Sequence, residues 1–397
     1  MSNTEVKSAV MSTYSRFPIT VVKGKGSHVW DEAGRTYLDY TSGIATCNLG
    51  HVPDTVQEKL NKQLDLIWHC SNLYHNPNQE ALAELLAENS ALDKVFFCNS
   101  GAEANEAAIK LAKKYAKDKG NPERIEIVTF LDSFHGRTGS AMAATAQAKI
   151  HEGFSPITPG FRYLPYNDCD SLEQINNGKT TAVLLELVQG EGGVHPVNPS
   201  WLKQLEAVCK ENDILLMIDE IQTGIGRTGS LFAYQQYDVD PDVITLAKGL
   251  ASGFPIGAML AKDNVSNSFT PGTHGSTFGG NPLATSAGLA TLEVILSEPI
   301  MVNVIENSNW LFSELNRLME YEKQIKEIRG VGFLIGIEIA GDVAEWITKF
   351  RNKGILVLAA GPKTIRILPP LTTTKEELET FVNTFQALLN ETGEYTA

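Results

Sequence analysis

The sequence predicts an α/β protein, with a large domain built on a mainly parallel sheet and a smaller α+β domain after it. Three observations predict this. Between Val95 and Leu260, short apolar runs rich in β-branched and aromatic residues alternate with helical stretches, the rhythm of parallel strands joined by crossover helices. After about Pro282 the alternation stops and long helical periodicity takes over. A chain of 397 residues also exceeds what one ordinary hydrophobic core organises.

The expected strands of the large domain are Val95–Phe97, Ile125–Phe130, Ala182–Val188, Ile214–Ile218, Val243–Leu246 and Ile256–Leu260. Their near-continuous apolar character fits strands buried on both faces. Helices are expected over Glu103–Lys117 and Trp201–Asn212, the second with Leu202, Leu205, Val208 and Cys209 on one face. Beyond Pro282 the reading is a long helical stretch, a strand over Val331–Ile339, a helix near Val343–Lys353, two short strands and a final helix. That last helix repeats Leu378, Phe381, Val382, Phe385, Leu388 and Leu389 at helical spacing, and Thr374 with Glu377 forms a capping box at its start.

Composition narrows the function. The chain is 43% hydrophobic and 20% charged, as expected of a soluble globular protein. Its formal charge of −14 opposes binding to phosphate backbones or anionic membranes, so neither nucleic acid nor membrane is an expected partner. Five scattered cysteines, never in a Cys-x-x-Cys arrangement, fit neither a disulfide framework nor a zinc knuckle. With no apolar leader and no run near the ~20 apolar residues of a membrane span, the expected location is the cytoplasm.

Some motifs mislead. Gly224-Ile-Gly-Arg-Thr-Gly229 spells a dinucleotide fingerprint, but no amphipathic helix begins there and no acid follows about 20 residues on, so it reads as a glycine-rich turn. Gly178-Lys179-Thr180 lacks the first glycine of a phosphate loop, since Glu173 stands in its place. His69, Cys70 and His75 have no neighbouring ligand to complete a metal set, and no metal is expected.

Chemistry-bearing residues cluster just past the C-terminal ends of the strands, the edge where parallel sheets bind ligands. After the first strand, Ser100-Gly101-Ala102-Glu103 opens a helix whose free amides suit a phosphate, although an ordinary capped helix looks the same. After the second, Phe134, His135 and Arg137 surround Gly136, residues suited to a flat ring and a carboxylate. Five apolar residues end in Asp219-Glu220, a costly burial unless the charge meets a partner such as a pyridinium nitrogen or a structural cation. Lys248 ends the next strand, where partial desolvation would make its amine nucleophilic. Together they describe one site: phosphate cradle, stacking aromatic, acid for a ring nitrogen and amine for an aldehyde.

At this point the residues resemble the class III, ornithine-type aminotransferases of fold type I, which use pyridoxal phosphate. The resemblance runs nearly end to end and rests on Asn99-Ser-Gly-Ala-Glu-Ala-Asn-Glu106, Ser133-Phe-His-Gly-Arg-Thr138, Gln189-Gly-Glu-Gly-Gly193, Ile218-Asp-Glu-Ile-Gln-Thr-Gly224, Leu246-Ala-Lys-Gly-Leu250, His274-Gly-Ser-Thr-Phe-Gly-Gly-Asn281 and Arg366-Ile-Leu-Pro-Pro-Leu371. It departs in two places: Leu49-Gly-His-Val-Pro53 lacks a second histidine, and Glu186-Leu187 replaces Glu-Pro. The resemblance implies an N-terminal segment (1–50) packed with the small domain, a large cofactor-binding domain (51–281) and a small domain (282–397).

It also implies the roles. Lys248 is the lysine that bonds to the cofactor aldehyde, Asp219 pairs with the ring nitrogen, Gln222 reaches the ring hydroxyl and Phe134 stacks on the ring. Ser100, Gly101 and Ala102 hold the phosphate, and the Ser276–Thr277 pair crosses the interface of a homodimer, Ser276 binding substrate and Thr277 completing the phosphate site of the other subunit. Arg137 and Arg366 take substrate carboxylates, Glu191 pairs with Arg366 when an amine donor is bound, and Tyr14 contacts substrate. The expected reaction moves the terminal amino group of N2-acetyl-L-ornithine to 2-oxoglutarate, giving N-acetylglutamate 5-semialdehyde and glutamate. Ornithine, succinylornithine, succinyldiaminopimelate and 4-aminobutyrate are the competing donors, and a catalytically silent binding protein is the alternative of a different class.

Overall fold

The computed structural model describes residues 9–297 and 299–393. Seven strands form the central sheet: β1 (Lys94–Cys98), β2 (Glu126–Phe130), β3 (Phe161–Leu164), β4 (Thr180–Glu186), β5 (Leu215–Asp219), β6 (Val243–Leu246) and β7 (Gly257–Ala261). Their order is β1-β7-β6-β5-β4-β2-β3. Only β7 runs against its neighbours; the other pairings are parallel, as the apolar runs predicted. All seven residues of β4 are buried, because helices cover both faces.

One strand escaped the sequence reading. Phe161-Arg-Tyr-Leu164 carries a charge and is only partly buried, as an edge strand beside β2 can be. The two misleading motifs are turns: the Gly224–Gly229 stretch opens no helix, and Gly178-Lys179-Thr180 leads into β4.

Helix α1 (Gly101–Asp118) crosses the sheet on a face of Ala104, Ala107, Ala108, Leu111 and Ala112. Methyl-sized side chains let its axis approach the strands closely. The Ser100 hydroxyl accepts the Glu103 amide at 3.3 Å, while the Glu103 carboxylate takes the amide of Asn99, one residue earlier than a standard capping box. Helix α2 (Pro199–Glu211) buries Leu202, Leu205 and Cys209 and is capped by Asn198, with proline in its first turn.

The long helical stretch after Pro282 is two helices, α3 (Pro282–Ser297) and α4 (Ile300–Tyr321). The expected strand Val331–Ile339 is a hairpin, β8 (Ile325–Val331) and β9 (Leu334–Ile339). Gly332, at φ 56°, makes the turn between them. The half-exposed, charged face of β8 hid it from a search for apolar runs. Helix α5 (Val343–Asn352), strands β10 (Leu358–Ala360) and β11 (Thr364–Ile367), and helix α6 (Lys375–Gly393) complete the C-terminal region. The box capping α6 forms in both directions, with Glu377 N to Thr374 Oγ1 at 3.2 Å and Thr374 N to Glu377 Oε2 at 3.0 Å.

The N-terminal strands Val21–Lys25, His28–Asp31 and Thr36–Asp39 form a separate sheet that Ile355–Leu356 joins. The Tyr40 ring lies 5.6 Å from Phe381, and its hydroxyl meets Thr373 at 3.0 Å. Among the described residues no single helix is long and apolar enough to cross a membrane.

Phe381 is fully buried and stacks on Phe350 at 5.4 Å. Truncating it to alanine should cost about 3–5 kcal/mol, read as a lowered midpoint in denaturant unfolding. A midpoint unchanged within error would show that this contact between α5 and α6 does not hold the C-terminal region together.

Candidate active site

Strand register builds the site. Glu186 on β4 lies beside Asp219 on β5, and Asp219 beside Thr245 on β6, one row across the three central strands. All three are buried. Asn105, one turn into α1, lies over this row. Its Nδ2 donates to Asp219 Oδ2 and to the His135 carbonyl, both at 2.8 Å, and its Oδ1 accepts the Thr245 hydroxyl at 2.8 Å. His135 Nδ1 meets the same Asp219 Oδ2 at 2.8 Å, and the Ile221 amide donates to Oδ1 at 3.0 Å. The acid is thus fixed from three sides.

Glu186 behaves differently. Burial, and then the Asp219 charge, push its carboxyl well above the usual range, against the Phe134 amide that donates to it at 3.1 Å and the nearby Lys248 charge. The two carboxyls of this row therefore differ in setting: Asp219 is contacted from three sides, Glu186 by one amide.

Lys248 follows β6 in a tight turn at φ 42°, a conformation a lysine adopts only under constraint. Burial lowers its pKa first; Arg366 adds to this, and Glu191, Asp219 and Glu186 oppose it. Its Nζ forms no ion pair among the described residues, in spite of these nearby carboxylates.

Arg366, on β11, is buried together with its flanking isoleucines. Its Nη1 donates to Glu191 Oε1 at 2.5 Å, the Gly190 carbonyl at 2.9 Å and Gln222 Oε1 at 3.0 Å. Burial alone would raise the Glu191 carboxyl, but the Arg366 charge and hydrogen bond, with Lys248, hold it below its ordinary value. Gly190 is needed here, since a Cβ would sit 2.3 Å from Gln222 Oε1.

A cavity of about 430 Å³ is lined by Ser100, Gly101, Ala102, Phe134, Arg137, Asp219, Gln222 and Lys248. A second, of about 410 Å³, shares Phe134 and Arg137 and adds Glu191 and Lys149. The Arg137 guanidinium lies 5.7 Å from the Phe134 ring centre, a cation–π distance. At the N-terminus of α1, the Gly101 and Ala102 amides have no partner among the described residues. A ring with a basic nitrogen, a carbonyl and a phosphate would meet, in turn, Asp219, Lys248 and these amides.

Three predicted site residues lie elsewhere. Tyr14 is 77% exposed and lines neither cavity of this chain. It had only Pro18 as an anchor. Ser276 hydrogen-bonds Asn99 Nδ2 at 3.1 Å but lines a different cavity, beside Phe96 and His274. Thr277 is exposed, outside this chain's own cavity.

The sequence reading missed other contributors. Asn105 was visible as a lone amide on an alanine-rich helix face, a place an asparagine avoids without a partner. Arg329 gave no signal; it donates from Nε to the Gly193 carbonyl and from Nη2 to Thr364 Oγ1, both at 2.9 Å, tying the Glu191 turn to the Arg366 strand. Thr46 and the stretch Gly253–Ile256 supply the remaining wall.

Comparison with known proteins places the whole chain in a family. The acetylornithine aminotransferase of Oceanobacillus iheyensis is 66% identical over 392 residues, covering 99% of this chain and 98% of its own. That of Bacillus subtilis is 50% identical over 372 residues, covering 94% and 95%. Among solved structures, ornithine aminotransferase from Toxoplasma gondii superposes with a TM-score of 0.93 at 33% identity, covering 96% of this chain and 94% of that one. N-acetylornithine aminotransferase from Stenotrophomonas maltophilia gives 0.84 at 37% identity, covering 97% and 98%. Residues 9–389 match the family described as Aminotransferase class-III, and the chain belongs to it.

Proposed function

We propose that this enzyme uses pyridoxal phosphate to move the terminal amino group of N2-acetyl-L-ornithine to 2-oxoglutarate, giving N-acetylglutamate 5-semialdehyde and glutamate. The observation that carries the reading is the Arg366–Glu191 pair at 2.5 Å beside Lys248. An arginine neutralised by a movable carboxylate accommodates an amine donor in one half-reaction and accepts the second carboxylate of 2-oxoglutarate in the other.

When bound, pyridoxal phosphate supplies a carbonyl that takes up the amine and a ring that draws electrons from the substrate carbon. Asp219, held by Asn105, His135 and the Ile221 amide, keeps a proton on the ring nitrogen. Gln222 would reach the ring hydroxyl, Phe134 would cover one face, and Ser100 with the Gly101 and Ala102 amides would receive the phosphate. The Lys248 amine, poorly solvated and therefore readily neutral, accepts and returns the proton at the substrate carbon. Arg137 binds the donor's carboxylate.

We also propose a cytoplasmic homodimer. Leu66, Trp68, Leu73, Tyr74 and Phe278 are large apolar side chains left exposed, and His69 against Phe278 at 5.2 Å joins the two segments into one surface. Thr277 and Ser276 sit on that surface, where Thr277 would reach the partner subunit's phosphate site. The division into residues 1–50, 51–281 and 282–397 belongs to the same reading, with Ile355–Leu356 pairing to the N-terminal sheet in support of it.

With 2-oxoglutarate as acceptor, kcat/KM for N-acetylornithine should exceed that for ornithine or 4-aminobutyrate by roughly tenfold or more. A preference for either of the latter overturns the donor assignment. Lys248→Ala should lose at least ~10³-fold in turnover; near-normal rates would remove the lysine from the mechanism. Glu191→Gln should weaken the donor half-reaction relative to the 2-oxoglutarate half-reaction by about tenfold in single-turnover measurements. Equal effects on both halves would leave the carboxylate without a switching role.

A further inference from the structure

Cys47, His51 and Asp39 form a constellation that the transamination chemistry does not use. Cys47 Sγ lies 3.8 Å from His51 Nδ1, within reach of a sulfur hydrogen bond, and His51 Nε2 lies 2.8 Å from Asp39 Oδ2. Asp39 is buried, and its other oxygen accepts the Thr41 amide and hydroxyl at 2.9 and 2.6 Å. The order is that of an activated nucleophile: thiol, imidazole, and an acid that fixes which ring nitrogen faces the sulfur. With Asp39 accepting from Nε2, Nδ1 is directed at the thiol. The Asp39 hydrogen bond, and after it the Cys47 contact, raise the imidazole to about 10 despite partial burial. The sulfur therefore faces an electropositive ring nitrogen, the kind of setting in which reactive cysteines are found.

The sulfur also adjoins the cofactor cavity. Thr46, its chain neighbour, lines that cavity, as does Gly253, whose Cβ position would be 3.7 Å from Sγ. Cys47 is half-buried, so a small reagent reaches it. By contrast, Cys98 and Cys209 are buried, burial raises both thiols, and neither has an imidazole partner among the described residues.

We propose that Cys47 is a peroxide-reactive modification site whose oxidation deforms the cavity wall carried by Thr46 and Gly253. In the step, the Cys47 thiolate attacks one oxygen of a hydroperoxide and the O–O bond breaks. Sulfur is oxidised to sulfenic acid, and the other oxygen leaves as water or alcohol after taking the proton held by His51. The added oxygen must find space between His51 and the cavity wall.

The test uses holoenzyme treated with hydrogen peroxide and dimedone, with site-resolved mass spectrometry and activity followed in parallel. Cys47 should acquire label about tenfold faster than Cys70 and Cys169, the other accessible thiols, and turnover should fall with the same time course. His51→Gln should slow labelling of Cys47 by roughly tenfold with its melting temperature preserved. Cys47→Ser should keep basal turnover and retain it through peroxide treatment. Equal labelling of the three thiols, or a Cys47→Ser enzyme inactivated as fast as the parent, overturns the proposal. These readouts are separate from the donor assignment, since labelling does not depend on which amine is the substrate.

Discussion

Asp219 ends a five-residue buried strand with only 3% of its surface exposed, and a carboxylate placed there must be matched by hydrogen bonds and by a ligand. The three groups around it fix its orientation: Asn105 and the Ile221 amide donate to it, and His135 meets it through Nδ1, its Nε2 being buried without a partner among the described residues. A protonated ring nitrogen of the proposed cofactor would complete the set. The position of α1 follows from the same need, because only a helix packed closely on small residues brings Asn105 down onto the β5–β6 row.

The remaining carboxyls stand in different environments. Glu186 lies one strand away from Asp219, and burial, with the neighbouring Asp219 charge, pushes its carboxyl well above the ordinary range. Glu191 is farther along the wall, partly exposed, and charged because Arg366 is there to hold it. Lys248 lies among them without an ion pair of its own, so its amine stays uncommitted. One deeply buried acid, one fixed acid and one paired acid are three environments for the same functional group, made by burial and partners alone.

Much of this was legible in the sequence. The strands that carry Glu186, Asp219 and Lys248 read as apolar runs because both faces are buried, and their ends read as chemistry because a polar residue after such a run is costly without a purpose. Helices α2 and α5 lie within two residues of their expected bounds, and the Thr374–Glu377 box marked the start of α6. What failed had weaker local signals. β3 and β8 carry charges on partly exposed faces, so neither resembles a buried run. Arg329 and the Thr46 wall depend on contacts between segments well over a hundred residues apart, for which no spacing rule exists.

The Thr46 wall shows how such distant segments are joined. Ser42, Gly43, Ile44 and Ala45 all have positive φ, between 45° and 66°, a left-handed turn that costs about 1–2 kcal/mol at each non-glycine residue. Asp39 holds its start by accepting from Thr41 and Ser42, and the Ser42 hydroxyl donates to the Leu368 carbonyl at 2.6 Å. Leu368 N in turn donates to the Tyr40 carbonyl at 2.7 Å. Leu368 is two residues beyond Arg366, so the strained turn that carries Thr46 is hydrogen-bonded to the segment that positions the substrate-side arginine. A displacement of either must therefore break buried hydrogen bonds or be shared by both. The cavity wall and Arg366 accordingly behave as one rigid piece, and Asp39, which also holds His51, is the residue through which a change at Cys47 would reach it.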